Sequence, residues 1–218
     1  MMFRRTLWLV LALALAGAAP CEAESPEDAA IMVRLTFDGA HQDPERGVRA
    51  PAAIPDETSR QPGRTGMALR LGGGGPAAFR YLLDESPWAR PEGAVSMWVK
   101  PVSWFDVADV EERGLMVFCR LPLRRGALLI ERQGLRKSPP VRQDLLIAGV
   151  FGVPGITNAL VLPTNTSRWK NGDWHFVAVN WSRTGLACSL DGAEFQKTAF
   201  TRALQPDDGS GISPSLEL

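Results

Sequence analysis

Residues 172 to 182 read Gly172-Asp173-Trp174-His175-Phe176-Val177-Ala178-Val179-Asn180-Trp181-Ser182, and the fold turns on how this stretch is read. In an extended chain Trp174, Phe176, Ala178 and Asn180 point one way, and His175, Val177, Val179 and Trp181 the other. Both faces are largely apolar, which predicts a strand in the middle of a sheet, covered on both sides. The competing reading is an active site built on His175. A general base needs a carboxylate or a nucleophile within hydrogen-bond reach. His41, the other histidine, falls in a loop region, and no sequence neighbour supplies a triad, so His175 reads as structural.

Working outward, Arg183-Thr184-Gly185 is a turn and Leu186 to Leu190 the next strand. Asp191-Gly192 is a two-residue hairpin signal of type I′, whose central positions both need positive φ. Ala193 to Lys197 closes this meander. Upstream, Ile31 to Phe37 alternates as a half-buried strand, and Asp38-Gly39 ends it. Residues 40 to 66 lack periodicity and predict a long loop. Met67 to Leu71, Ala77 to Leu82 and Ala94 to Lys100 read as strands. So do Leu115 to Arg120 and Ala127 to Glu131, joined as a hairpin at Arg124-Arg125-Gly126. Asp144 to Val150 and Ala159 to Leu162 follow. Gly72 to Gly75 is a tight connection rather than a phosphate loop, because no Lys-Ser/Thr and no helix signature follow it. Helix is confined to one turn near Val107 to Glu112. About eleven short strands between turn signals predict an all-β fold, an antiparallel sandwich of two sheets.

The chain has 218 residues, is 45% hydrophobic and carries zero formal net charge. That suffices for one domain of roughly 190 residues once a processed N-terminus is removed. No basic patch or stripe argues for nucleic acid. Met1 to Arg5 is a basic n-region, and the apolar run Thr6 to Ala19 is too short to span a bilayer comfortably. Residues 1–23 therefore read as a signal peptide, cleaved after Ala23, with Ala18 as the other possible cleavage point. A lipid anchor on Cys21 fits less well, because Pro20 precedes it. Residues 24–30 are a loose, polar start, and 31–218 form the domain. No other segment is long and apolar enough to be transmembrane. Of the cysteines in the mature chain, Cys119 and Cys188 both sit in strand-like runs. They could pair in an oxidising compartment or be two buried small hydrophobes.

The order and spacing of four stretches resemble the laminin-G-like jelly rolls of the concanavalin A-like lectin/glucanase superfamily. These are Leu35-Thr36-Phe37-Asp38-Gly39, Gly66-Met67-Ala68-Leu69-Arg70-Leu71-Gly72, and Gly93-Ala94-Val95-Ser96-Met97-Trp98-Val99-Lys100-Pro101. The fourth is Gly172 to Ser182 with Leu190-Asp191-Gly192 after it. The resemblance covers the chain from about Ile31 and implies a jelly roll. The family usually adds a last strand with Asp-Glu-Val beside the first, whereas Ser215-Leu216-Glu217-Leu218 is similar to the strand before it. The resemblance thus implies a missing edge strand, either because the sequence is a fragment or because something else covers that edge. Related jelly rolls often carry structural calcium in loops like the one after the first strand, which makes Asp38 and Asp43, with His41 between them, candidate calcium ligands.

Seven tryptophans are generous for this length, and an exposed ring can stack on the apolar face of a sugar. Trp98, Trp174 and Trp181 lie in strands and read as core. Trp88, Trp104 and Trp169 lie beside turns or loop ends and are the candidates for a ligand rim. Glucanases of the superfamily carry two carboxylates on a strand reading E-x-D-x-x-E, and that motif does not occur here. Asp84-Glu85 and Glu111-Glu112 are adjacent, so on a strand they would point to opposite faces. The expectation is a secreted, non-catalytic module that binds carbohydrate at a cell surface or in extracellular matrix. The alternative is a protein-interaction or adhesion domain of a larger surface protein, and glycoside hydrolysis is a minor third.

Overall fold

The computed structural model describes residues 48–51, 60–70, 80–83, 92–102, 115–123, 125–137, 141–156, 159–162, 169–204 and 215–218. All lie in one compact unit, Met32–Leu218. In chain order the strands are β1 (Val48–Pro51), β2 (Arg60–Pro62), β3 (Met67–Leu69), β4 (Arg80–Leu83), β5 (Glu92–Val99) and β6 (Leu115–Pro122). There follow β7 (Ala127–Lys137), β8 (Val141–Phe151), β9 (Ala159–Leu162), β10 (His175–Ser182), β11 (Gly185–Leu190), β12 (Gln196–Ala199) and β13 (Ser215–Glu217). The described residues form no helix, and hence none long and apolar enough to cross a membrane.

Seven strands form the larger sheet, in the order β1-β4-β13-β6-β7-β8-β9, and four form the smaller, β12-β11-β10-β5. The remaining hairpin pairs β2 with β3, and every pairing is antiparallel. The two sheets share one hydrophobic core, the arrangement of a β-sandwich. The larger sheet supplies Leu128 and Ile130 from β7, Leu146, Ala148 and Val150 from β8, and Cys119 and Leu121 from β6. From the smaller come Val177, Val179 and Trp181 of β10, with Leu186, Cys188 and Leu190 of β11. Fully burying one such valine contributes about 1.5–3 kcal/mol.

Alternation places these side chains, and one contact shows how tightly. Trp181 pairs with Gly93 across the β10–β5 ladder. A Cβ on Gly93 would strike the indole of Trp181, at 2.6 Å from Cε2 and 2.8 Å from Cη2. The ring lies directly on the glycine backbone, so this position has room for hydrogen alone. At the other end of the hairpin pair, Asp191 (φ 53°) and Gly192 (φ 78°) both adopt positive φ. The amide of Ala193 donates to the Leu190 carbonyl at 3.0 Å, closing the type I′ turn that Asp191-Gly192 predicts.

Three differences from the sequence reading matter. First, β10 is covered on one face only: Val177, Val179 and Trp181 are buried, whereas Phe176 and Ala178 are half-buried and Asn180 is exposed. Second, the stretch expected to be a long loop holds β1 and β2. Pro51 lies at the end of β1, the edge strand of this sheet among the described residues, the position in a sheet where proline is tolerated. Third, β7 and β8 run eleven residues each, well beyond the apolar cores that mark them in the sequence. The segment Ser215 to Leu218, read as a strand, forms β13 in the interior of the larger sheet, paired with β4 through Leu216 and Tyr81 and with β6 through Glu217 and Arg120. The strand expected at Ile31 to Phe37, the Gly72 to Gly75 connection and the turn near Val107 to Glu112 lie outside the described residues.

Candidate functional site on the open face of the smaller sheet

The outer face of the smaller sheet is built from the residues that alternate with its core row. On β5, Val95, Met97 and Val99 pack against the core, which turns Ala94, Ser96 and Trp98 outward, all exposed. On β10 the outward residues are Phe176, Ala178 and Asn180. The register sets Trp98 opposite Phe176, Ser96 opposite Ala178 and Ala94 opposite Asn180. The result is an aromatic step at one end of the face and a shelf of small side chains beside it.

Trp98 is 43% exposed, a large hydrophobic residue left at the surface. Its ring centroid lies 4.9 Å from that of Phe176 at an interplanar angle of 47°. Trp174, two residues before Phe176, extends the row and is half-buried. The segment that carries it is tied to the end of β5 by the Gly172 amide, which donates to the Pro101 carbonyl at 2.9 Å. Two cations sit on these rings. The Arg64 guanidinium is 3.5 Å from the Trp98 centroid, and the Lys100 ammonium is 4.9 Å from that of Trp174. Arg64 reaches Trp98 from the turn of the β2–β3 hairpin, closed by the Gly63 amide on the Gly66 carbonyl at 2.8 Å. At a surface such a stack contributes about 0.5–1 kcal/mol, little enough for a ligand to displace it.

At the same end of β10, on the core side, His175 has a carboxylate partner that no neighbouring residue in the sequence announces. Asp191 Oδ2 lies 2.8 Å from His175 Nδ1, and Asp191 Oδ1 accepts the Phe176 amide at 2.8 Å. The Asp191 amide in turn donates to the Phe176 carbonyl at 2.8 Å. Trp169 stacks on the imidazole, with centroids 3.9 Å apart and planes 6° from parallel. An aspartate holding Nδ1 is half of an acid–base relay, but His175 Nε2 is buried and has no hydrogen-bond partner. Among the described residues no nucleophile or proton acceptor is hydrogen-bonded to that atom. The arrangement anchors the start of β10 to the turn after β11.

The expected rim residues separate. Trp169 is 5% exposed and belongs to the core, because its ring is spent on covering His175. Trp88 and Trp104 lie outside the described residues, as do Asp38, His41 and Asp43. Among the described residues no group of three or more His, Cys, Asp or Glu is placed to hold a metal ion. Cys119 and Cys188 are free and buried, one on each sheet. Burial pushes the Cys119 thiol up to about 12 and the Cys188 thiol up to about 11, which keeps both protonated and inert at neutral pH. Trp98, read as core in the sequence, is exposed; Phe195 is another exposed ring among the described residues. The signal for Trp98 was the row Ala94, Ser96, Trp98, Lys100, which is small, polar or charged at every other position. Comparisons with protein-family models, curated proteins and solved structures found no match to this chain.

Proposed function

We propose that the chain is a secreted, non-catalytic glycan-binding module of jelly-roll architecture, and that it holds saccharide on the face formed by Trp98, Phe176 and Trp174. The observation that carries this reading is Trp98, 43% exposed beside Phe176 at one end of the sheet face. A ring left in water forgoes burial worth roughly 25 cal/mol per Å². That is reasonable where the ring is kept for stacking on a sugar's apolar face while neighbouring polar groups fix its orientation. The basic and apolar segments at Met1 to Ala19 support secretion, and the motif order from Leu35 to Gly192 supports the jelly roll. A retaining hydrolase would need two carboxylates about 5 Å apart across the sugar, and the glucanase strand pattern E-x-D-x-x-E that would supply them does not occur in the sequence. If calcium is bound, Asp38 and Asp43 are the residues that would hold it.

The test is retention on a panel of immobilised polysaccharides, with wild type compared against Trp98→Ala and Phe176→Ala. Loss of retention in both variants, with the far-UV spectrum unchanged, is the expected result. A wild-type protein that binds no glycan on the panel would transfer the case to a protein-interaction domain.

A further inference from the structure

We infer that the saccharide held on this face is acidic, bearing carboxylate or sulfate groups. The inference rests on the glycan reading above and concerns which class of glycan is selected. Arg64 and Lys100 are stacked on the rings of the platform, and neither has a carboxylate partner among the described residues. Of the acids at this end, Asp191 is taken by His175 and the Phe176 amide. Asp173, next to Trp174 in the chain, is exposed and is the carboxylate to weigh against the two cations.

In its stacked position Arg64 occupies the plane a sugar would take on Trp98. A neutral sugar displacing it would exchange one ring contact for another and leave the guanidinium with nothing new. An acidic sugar stacks on the indole and also gives the guanidinium an anion, which it can hold through two parallel N–H···O bonds. Lys100 stands two residues beyond Trp98, just past the end of β5, roughly 7 Å further if the extended rise continues, and supplies a second point charge. The chain as a whole has zero formal net charge, so selection would come from these two cations rather than from a diffusely basic surface.

The experiment measures binding of the secreted chain to polygalacturonate (carboxylate), heparin (sulfate and carboxylate), dextran sulfate (sulfate) and the neutral polymers laminarin, mannan and xylan. Titration calorimetry at about 20 mM and about 300 mM NaCl tests the screening expected of exposed charges. Acidic polymers should bind and neutral ones should not. Arg64→Gln and Lys100→Gln should each weaken binding about tenfold, the scale of one charge-assisted hydrogen bond. Arg183→Gln, an exposed arginine in the β10–β11 turn, should leave it unchanged. The pattern across the three acidic polymers shows whether carboxylate, sulfate or either is read. Neutral polymers bound equally well, lost in Trp98→Ala but unaffected by Arg64→Gln, would overturn the acidic class and leave the platform standing. An Arg183→Gln loss equal to that of Arg64→Gln would overturn it in favour of diffuse charge. Binding to none of the polymers would remove both readings.

Discussion

His175 Nδ1 and Asp191 Oδ2 lie 2.8 Å apart although sixteen positions separate them. The same carboxylate accepts the Phe176 amide through Oδ1 at 2.8 Å, so one side chain serves both a ring and a backbone donor. Asp191 also has positive φ, 53°, a conformation aspartate tolerates better than most residues. Asp191→Ala removes both acceptors and places a less tolerant residue in that conformation. A loss of about 2 kcal/mol is expected by urea unfolding, against about 1 kcal/mol for Asp191→Asn, which keeps one acceptor and the backbone preference. Equal losses in the two variants would mean that the carboxylate contacts are not what holds the turn.

Gly93→Ala tests the packing of Trp181. The new methyl would collide with the indole, and Trp181 is backed by a filled core. Overpacking of this kind costs about 1–3 kcal/mol. The near-UV circular dichroism of the tryptophans should change with it. A variant as stable as wild type would show that the indole has another seat.

Trp98 and Trp181 should behave oppositely when truncated. Trp181 is 6% exposed and in the core, whereas Trp98 is 43% exposed. Trp181→Ala should cost about 3–5 kcal/mol, and Trp98→Ala should stay near 0.5 kcal/mol, both by denaturant unfolding. A Trp98→Ala loss as large as that of Trp181→Ala would make Trp98 a structural residue and leave the open face without its principal ring.

The buried thiols give a pH dependence. Cys119 and Cys188 are raised from an ordinary 9.0 to about 12 and about 11. The unfolded chain therefore releases its thiol protons first, and between about pH 9 and pH 11 it holds fewer protons than the native chain. Stability contributed by the two thiols is complete below pH 9 and declines as pH rises through that window. Unfolding midpoints measured across it should fall, and Cys188→Ala should reduce the slope. At pH 8 both thiols should resist alkylation in the native protein and react in guanidinium without reductant, as mapped by peptide mass. Failure to react until reductant is added would indicate a disulfide.

Much of this architecture is legible in the chain because alternation is a local property. The strands at Ala94 to Lys100 and His175 to Ser182, and the turn at Asp191-Gly192, follow from residue type and spacing alone. What failed was the choice of face. Trp174, Phe176 and Ala178 look like core because they are apolar, yet they lie on the open side of the sheet. Apolar character marks a residue that can be buried, and the sheet's neighbours decide whether it is. The partner row on β5 held the answer, since Ala94, Ser96 and Lys100 share Trp98's parity and make a poor core. The His175–Asp191 contact was hidden for another reason. Asp191 is fully explained as a turn residue, and its second role needs the register of β10 against β11, which pairs Val177 with Leu190. The short strands β1, β2 and β13 carry too few residues for a period to show.

The position of β13 bears on the order in which the larger sheet can close. It separates β4 from β6, strands that end at Leu83 and Pro122, far before Ser215 in the chain, and such distant pairings are slow to form. As the polypeptide emerges from a ribosome, both of those neighbours must wait with bare edges, ready to be joined by the wrong chain. Custody by a holding chaperone, or passage across a membrane before folding begins, would keep the two halves of the sheet apart until the strand between them arrives.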